Sequence, residues 1–295
     1  MLIEGEESYE ACIDGDLHYH EVEDAVPGWL EARNDFYRTF LNRFLESEAD
    51  VHISLGDLTN FGYASELQEV YDIIRKHNRT FYHVLGNHDL YGSTRREVLE
   101  ISGQPRYHAI TTEQAVLLFI DTAKEMDFAD WGGWVDEEQL LWMEEMVKAS
   151  GTRPLLIFAH HPVYNTTTNS TKDKGSIHPS IEMWKILSLK EGVGLYFNGH
   201  THVDSIVRQN NWTFVQLSAC LDQHGMRVVE VDQDEIRVSA VDITDPILPK
   251  TAETLYLHMK HFKHNPNARG KDEDRECIVS LSLVAQPMQG EVFLK

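Results

Sequence analysis

The chain has 295 residues, 42% of them hydrophobic and 25% charged, with 9 Pro and 18 Gly. That is a globular mix and excludes a disordered or fibrous protein. Asp and Glu number 48 against 26 Lys and Arg, a formal charge of −22, which repels phosphate backbones and argues against binding a nucleic-acid polymer through a basic surface. Cys12, Cys220 and Cys277 are scattered, without a CxxC pair. They predict neither a disulfide framework nor a thiolate metal site, and the expected home is a reducing cytoplasm. No basic, apolar leader opens the sequence and no run of about 18 apolar residues interrupts it, so no membrane partner is expected. The unusual count is His, at 16.

In chain order, a strand over 9–13 ends at Asp14-Gly15-Asp16. A helix over 29–46 follows, with Phe36, Phe40 and Phe44 on one face. A short strand at 51–55, a helix at 64–76 and a buried strand at 81–85 continue the alternation. Asp136 with Gln139 predicts a capping box on a helix over 136–149. Strands at 155–158 and 195–197 come next, then four more at 203–209, 213–218, 226–231 and 235–241. Helices alternating with buried strands predict a helix-covered sheet, and the later run of strands suggests a second, mixed sheet. From about 246 the character changes: a helix near 251–263, a polar stretch from His264 to Glu276, and a strand at 278–284. The expected division is a catalytic domain over 1–245 and an extension over 246–295 packed on its core.

Five of these strands end in a polar cluster. They are Asp16-Leu17-His18, Gly56-Asp57-Leu58-Thr59-Asn60, Gly86-Asn87-His88-Asp89, His160-His161-Pro162 and Gly199-His200-Thr201-His202. Loops at the carboxyl ends of strands in an α/β sheet converge on one place, and Gly56, Gly86 and Gly199 allow sharp turns there. Each cluster alone has a plain reading as turn or cap, but five in order do not arise independently. The donors are oxygen and imidazole without sulfur, which suits Mn, Fe or Zn. Seven such side chains exceed one tetrahedral ion and suffice for two ions sharing a carboxylate, the arrangement that clamps both oxygens of a phosphoryl displacement.

This ordered set, Asp16-x-His18, Gly56-Asp57, Gly86-Asn87-His88-Asp89, His160 and Gly199-His200-x-His202, resembles the calcineurin-like metallophosphoesterase superfamily over residues 9–240. It is most similar to the class III cyclic-nucleotide phosphodiesterase and glycerophosphodiesterase branch. The resemblance implies an αββα sandwich of two mixed sheets with a dinuclear site at one edge. It implies that Asp16, His18 and His202 hold one ion, that Asn87, His160 and His200 hold the other, and that Asp57 bridges them. His88 is implied as the general acid or charge-stabilising donor above the ions. Asn60, Asp89 and His161 are expected to support the site or face the substrate. The expected reaction is in-line attack on a small phosphodiester by a hydroxide bridging the two ions.

Two rivals use the same fold: a phosphomonoesterase or protein phosphatase with the same ions, and a non-catalytic interaction scaffold. Arg95 and Arg96 are expected to be solvated charges on a helix rather than phosphate ligands. Trp131 and Trp134 are candidates to stack a planar group, with packing the plainer reading. His258, His261 and His264 share helical spacing but are expected on an exposed polar helix, and His20, His52 and His83 are expected to be structural or solvated.

Overall fold

The interior strands are short apolar runs with no polar face, which is what burial on both sides of a sheet selects. In the computed structural model, which describes residues 8–22 and 26–282, β1 (Tyr9–Asp14), α1 (Trp29–Glu46), β2 (Val51–Ser54), α2 (Ala64–Ile74) and β3 (Phe81–His83) form the predicted alternation. The three strands pair in parallel, with Ile13 opposite Ile53 and Ser54 opposite His83. Then come α3 (Arg95–Ser102), β4 (His108–Thr111), β5 (Val116–Phe119), α4 (Glu137–Ser150), β6 (Leu155–Phe158), α5 (Met183–Leu187) and β7 (Gly194–Asn198). The chain continues through β8 (Ser205–Gln209), β9 (Trp212–Gln216), β10 (Gly225–Val231), β11 (Glu235–Asp242), α6 (Ile247–Tyr256) and β12 (Glu276–Ser280).

Two six-stranded mixed sheets result, ordered β12-β11-β10-β1-β2-β3 and β4-β5-β6-β7-β9-β8. Their facing sides interlock through Ile13, Ile53, Phe119, Phe158, Phe197 and Val229, all buried. Phe119, Phe158 and Phe197 stack in series at 5.1 and 5.2 Å. The outer face of the first sheet is covered by α1 and α2, with Phe36, Phe40 and Phe44 buried as the periodicity requires, and by α6. The outer face of the second is covered by α4 and α5. The expected four-layer αββα sandwich of two mixed sheets is thus the observed architecture. No helix among the described residues is long and apolar enough to cross a membrane.

Several details differ from the sequence reading. The late strands do not make a sheet of their own. β8 and β9 extend the second sheet, while β10 and β11 run antiparallel beside β1. Beyond the expected helix that carries Arg95 and Arg96, the stretch 95–119 holds two strands without a clear sequence signal. β4 alternates half-buried and exposed positions at a sheet edge, and β5 is only four residues long. Only half of the expected capping box forms. Asp136 accepts from the Gln139 N–H at 2.9 Å, but the Gln139 side chain turns inward to bond both backbone groups of Asp121. The late helix begins at Ile247, four residues earlier than expected, with Pro249 in its first turn where a missing N–H costs nothing. It ends at Tyr256, so His258, His261 and His264 lie beyond it.

The chain after 245 reaches both ends of the first sheet's environment. α6 packs across α1 through Leu248, Ala252 and Leu255. β12 adds the edge strand beside β11, with Val279 opposite Ile236. Between them, residues 257–270 run past the carboxyl ends of β1 and β2. The Asp204 N–H donates to the Ala268 carbonyl there, and buried Arg227 donates to the carbonyls of Asp274 and Arg275.

Candidate metal centre

The carboxyl ends of β1, β2, β3, β6 and β7 deliver all five polar clusters to one place. Backbone bonds fix the loops to one another. Leu17 and His18 donate to the Asp57 carbonyl at 3.0 and 2.8 Å, and Gly199 donates to the His160 carbonyl at 3.1 Å. His18, Asp57, His200 and His202 all take positive φ, between 50° and 72°. Such backbone persists only where surrounding structure over-determines it. Glycine is required beside them: a Cβ on Gly86 would run into Oδ1 of Asp57, and one on Gly199 into Oδ1 of Asp16.

Seven donors separate into two groups with one member in common. On one side, His18 Nε2 lies 3.0 Å from His202 Nε2, which lies 3.2 Å from Asp16 Oδ2. On the other, His160 Nε2 lies 3.1 Å from both Asn87 Oδ1 and His200 Nδ1. Asp57 Oδ2 stands between them, 3.8 Å from His18 Nε2 and 3.4 Å from His160 Nε2. Two ligand atoms about 2.1 Å from a common cation are roughly 3.0–3.4 Å apart at octahedral to tetrahedral angles, so both groups have the spacing of a coordination shell. Asp57 Oδ1 accepts from the His88 N–H at 2.8 Å, leaving Oδ2 for the shared position.

The tautomers are set by backbone carbonyls. His160 Nδ1 donates to Leu55 O at 2.9 Å and His200 Nε2 to Lys174 O at 2.9 Å, so each ring turns its other nitrogen and lone pair inward. Burial holds these rings neutral: His200 is pushed down to about 4, His202 to about 3, and His18 and His160 well below the usual range. Burial pushes the Asp16 and Asp57 carboxyls the other way, reinforced at Asp57 by Asp16 and Asp89 and at Asp16 by Asp14, Asp89 and Asp222. Neutral imidazoles and crowded, desolvated carboxylates form a donor set that a cation relieves. Among the described residues, Oδ1 of Asp16 and Nδ1 of His18 have no hydrogen-bond partner. The donor set fits a pair of oxygen- and nitrogen-preferring cations.

The remaining expected residues surround this cluster. His88 is buried at the cleft floor. Its Nδ1 donates to Asn60 O at 2.7 Å, its Nε2 is left free, and burial pushes it down to about 4. Asn60 Nδ2 in turn donates to Lys260 O at 2.9 Å. Asp89 accepts from the backbone of Gly86 and Thr59 and from the Thr59 hydroxyl, bracing the two loops. His161 does not line the cleft: its nitrogens engage Thr122 Oγ1 and Trp131 O, both at 2.8 Å, while its ring lies 4.2 Å from that of His200.

Arg95 pairs with Asp121 and Glu125 and Arg96 with Glu100, so neither faces the site. His20, His52 and His83 are buried and bonded within the fold. Trp131 lines the cleft and Trp134 does not. His264 bonds Asp222, His258 meets Trp29, and His261 reaches the cleft, so the three form no cluster.

Four residues outside the expected set support the site. Tyr91 accepts from Asn87 Nδ2 at 2.8 Å and turns the amide oxygen inward. Asp222 lies between His264, at 2.7 Å, and His202, at 3.9 Å. Phe262 packs on His18 and His202 with ring centres 5.1 and 5.3 Å apart, and Lys174 supplies the carbonyl that orients His200. Tyr91 is four residues beyond Asn87, a spacing that could have flagged it; the others lie far from their partners in the chain. Above the floor opens a cleft of about 610 Å³, lined also by Tyr91, Phe128, Trp131, Lys172 and His261.

This geometry makes the glycine requirement testable. Gly86→Ala is expected to displace the Asp57 carboxylate and lower metal affinity by roughly 10–100-fold, the usual cost of disturbing what orients a ligand. Titration of the metal-depleted variant with Mn²⁺, followed by calorimetry, measures it; wild-type affinity would contradict the close approach.

The family model for calcineurin-like phosphoesterase matches residues 13–204. A probable glycerophosphodiester phosphodiesterase GpdQ of Arcobacter nitrofigilis is 27% identical over 120 residues, 40% of this chain and 44% of that protein. The chain therefore aligns with less than half the length of this relative. The glycerophosphodiester phosphodiesterase GpdQ of Enterobacter lignolyticus is 23% identical over 216 residues, 70% of this chain and 76% of that protein. Among solved structures, a dimetal phosphatase from Danio rerio shares the fold, with TM-score 0.64 and 14% identity, over 79% of this chain and 96% of that one. With the matched span covering well over half of the chain and all seven clustered donors, the chain belongs to the calcineurin-like phosphoesterase family.

Proposed function

We propose that the protein is a dinuclear metal-dependent hydrolase of small phosphodiesters, acting in a reducing cytoplasm where its three buried, free cysteines stay reduced. The observation that carries this reading is the Asp57 carboxylate, whose Oδ2 stands within 4 Å of a donor nitrogen from each group. Asp16, His18 and His202 would hold one cation, Asn87, His160 and His200 the other, and Asp57 would serve both. Mn, Fe and Zn suit these donors. When bound, the two ions polarise the phosphoryl oxygens and activate a water for attack opposite the leaving group.

The rest falls to the chain. Lys172 lines the cleft with no ion-pair partner among the described residues and offers its charge to a phosphoryl oxygen. His88 presents Nε2 to the cleft, because its Nδ1–H is committed to Asn60. In the buried ring Nε2 carries a lone pair. A phosphoester anion brought against it favours the doubly protonated form, which then donates its proton to the oxygen leaving phosphorus as the P–O bond breaks. The two glycerophosphodiester phosphodiesterase relatives and the breadth of the cleft support a diester over a monoester.

The test is a substrate panel on protein whose metal content has been measured: bis(p-nitrophenyl) phosphate, p-nitrophenyl phosphate, cyclic nucleotides and glycerophosphodiesters. Diesters are expected to turn over faster than the monoester at two ions per chain. Preference for the monoester would make the protein a phosphomonoesterase or protein phosphatase. Full metal occupancy without turnover on any member would leave a scaffold with this fold.

A further inference from the structure

An exposed aromatic ring beside a charged cluster needs a reason, since water solvates it poorly and the loop could carry a polar residue instead. Phe128 is such a ring. It is 50% exposed and lines the same cleft as Asp57, Asn87 and His88. It is held firmly in place. The Met126 N–H donates to Leu90 O at 2.7 Å, tying its loop to the segment after His88, and Asp127 Oδ1 accepts from the N–H groups of Ala129 and Asp130.

Phe128 continues a row of rings that starts at the catalytic floor. His88 and Tyr91 have ring centres 4.7 Å apart, Tyr91 and Phe128 stack at 4.2 Å and 19°, and His261 stands 6.0 Å beyond Phe128. His261 also meets Phe61 edge-on at 5.6 Å. It sits at φ 64°, where a residue other than Gly is held only by its surroundings. Three separate segments, around 91, 128 and 261, therefore bring flat side chains to one wall of the cleft. One of these segments belongs to the extension after residue 245.

We propose that the Tyr91–Phe128–His261 wall is a subsite for the second esterifying group of the phosphodiester, and that it selects a flat, apolar group such as an aryl ring over a small alkyl one. The inference rests on the phosphodiesterase reading and deepens it. The phosphorus is fixed at the donor cluster and the leaving oxygen at His88. The group that stays on phosphorus then extends along the cleft and meets the exposed face of Phe128. Phe128 is a specificity residue, outside the donor set and without a hydrogen bond to it.

The experiment keeps the leaving group constant. Phenyl p-nitrophenyl phosphate, methyl p-nitrophenyl phosphate and p-nitrophenyl phosphate are compared on Mn-loaded wild type, Phe128→Ala and Phe128→Tyr, with metal content and melting midpoint measured for each. The phenyl-to-methyl ratio of kcat/KM is expected to fall about tenfold in Phe128→Ala, the scale of one aromatic contact with its buried area. It is expected to return toward wild type in Phe128→Tyr. A ratio unchanged in Phe128→Ala overturns the subsite. Should wild type hydrolyse none of the diesters, the functional reading fails separately. Calorimetric binding of phenylphosphonate against methylphosphonate then still reads the wall: tighter binding of the phenyl compound, lost in Phe128→Ala, upholds it, and equal affinities overturn it.

Discussion

Asp57→Ala protein is expected to hold neither cation at full occupancy and to lose at least about a thousandfold in phosphoester turnover. Two cations supply several kcal/mol of charge stabilisation to a phosphoryl transition state, at 1.36 kcal/mol per decade of rate. Asp57 is the shared donor of this arrangement: its Oδ2 lies close to the inward-facing Nε2 atoms of His18 and His160, one from each group. Its other oxygen is engaged by the His88 N–H, so the substitution also frees the loop that carries His88. Replacing Asn87, by contrast, removes an oxygen from one group only and is expected to leave the Asp16–His18–His202 side occupied. Elemental analysis of the two proteins side by side separates these outcomes. Two tightly held ions in Asp57→Ala would show that the carboxylate is not shared.

His88→Ala is expected to keep both ions and lose about 10²–10⁴-fold in kcat, the range that a positioned proton donor contributes. The loss is expected to be greatest on alkyl leaving groups and least on p-nitrophenolate, which departs without a proton. The side chain reaches none of the seven donors by hydrogen bond: its Nδ1 goes to Asn60 and its Nε2 to the cleft. A fall in metal content in this variant would instead make the ring a ligand. An equal loss for both leaving groups would make it a binding group rather than an acid.

Much of this was legible in the sequence because the donors lie within a few residues of short apolar strands. Strand and polar cluster recur five times, three of them through Gly56, Gly86 or Gly199, and the strand ends must converge once the strands are parallel. The two-sheet sandwich was readable for the same reason. The strand assignment to sheets was not, because nothing in the short sequences of β8 to β11 says which sheet they join, and only pairing with β1 or β7 decides it. Nor was the aromatic side of the cleft beyond Trp131. Phe128, His261 and Phe262 lie in irregular segments without periodicity, and their approach to His88, His18 and His202 depends on the path of the chain after Tyr256. Asp222 illustrates the same limit: an acid in a loop gives no sign that two histidines will flank it.

The four left-handed residues of the donor cluster, His18, Asp57, His200 and His202, carry a consequence for the cell. Each such backbone costs of order 1–3 kcal/mol, and the neutral rings and crowded carboxylates add to the cost. Whatever binds only the folded form adds stability by mass action. Ions seated here would therefore act as folding ligands as well as cofactors. A shortage of transition metal would then show itself first as faster proteolytic turnover of this polypeptide, so that abundance follows metal supply before specific activity is considered.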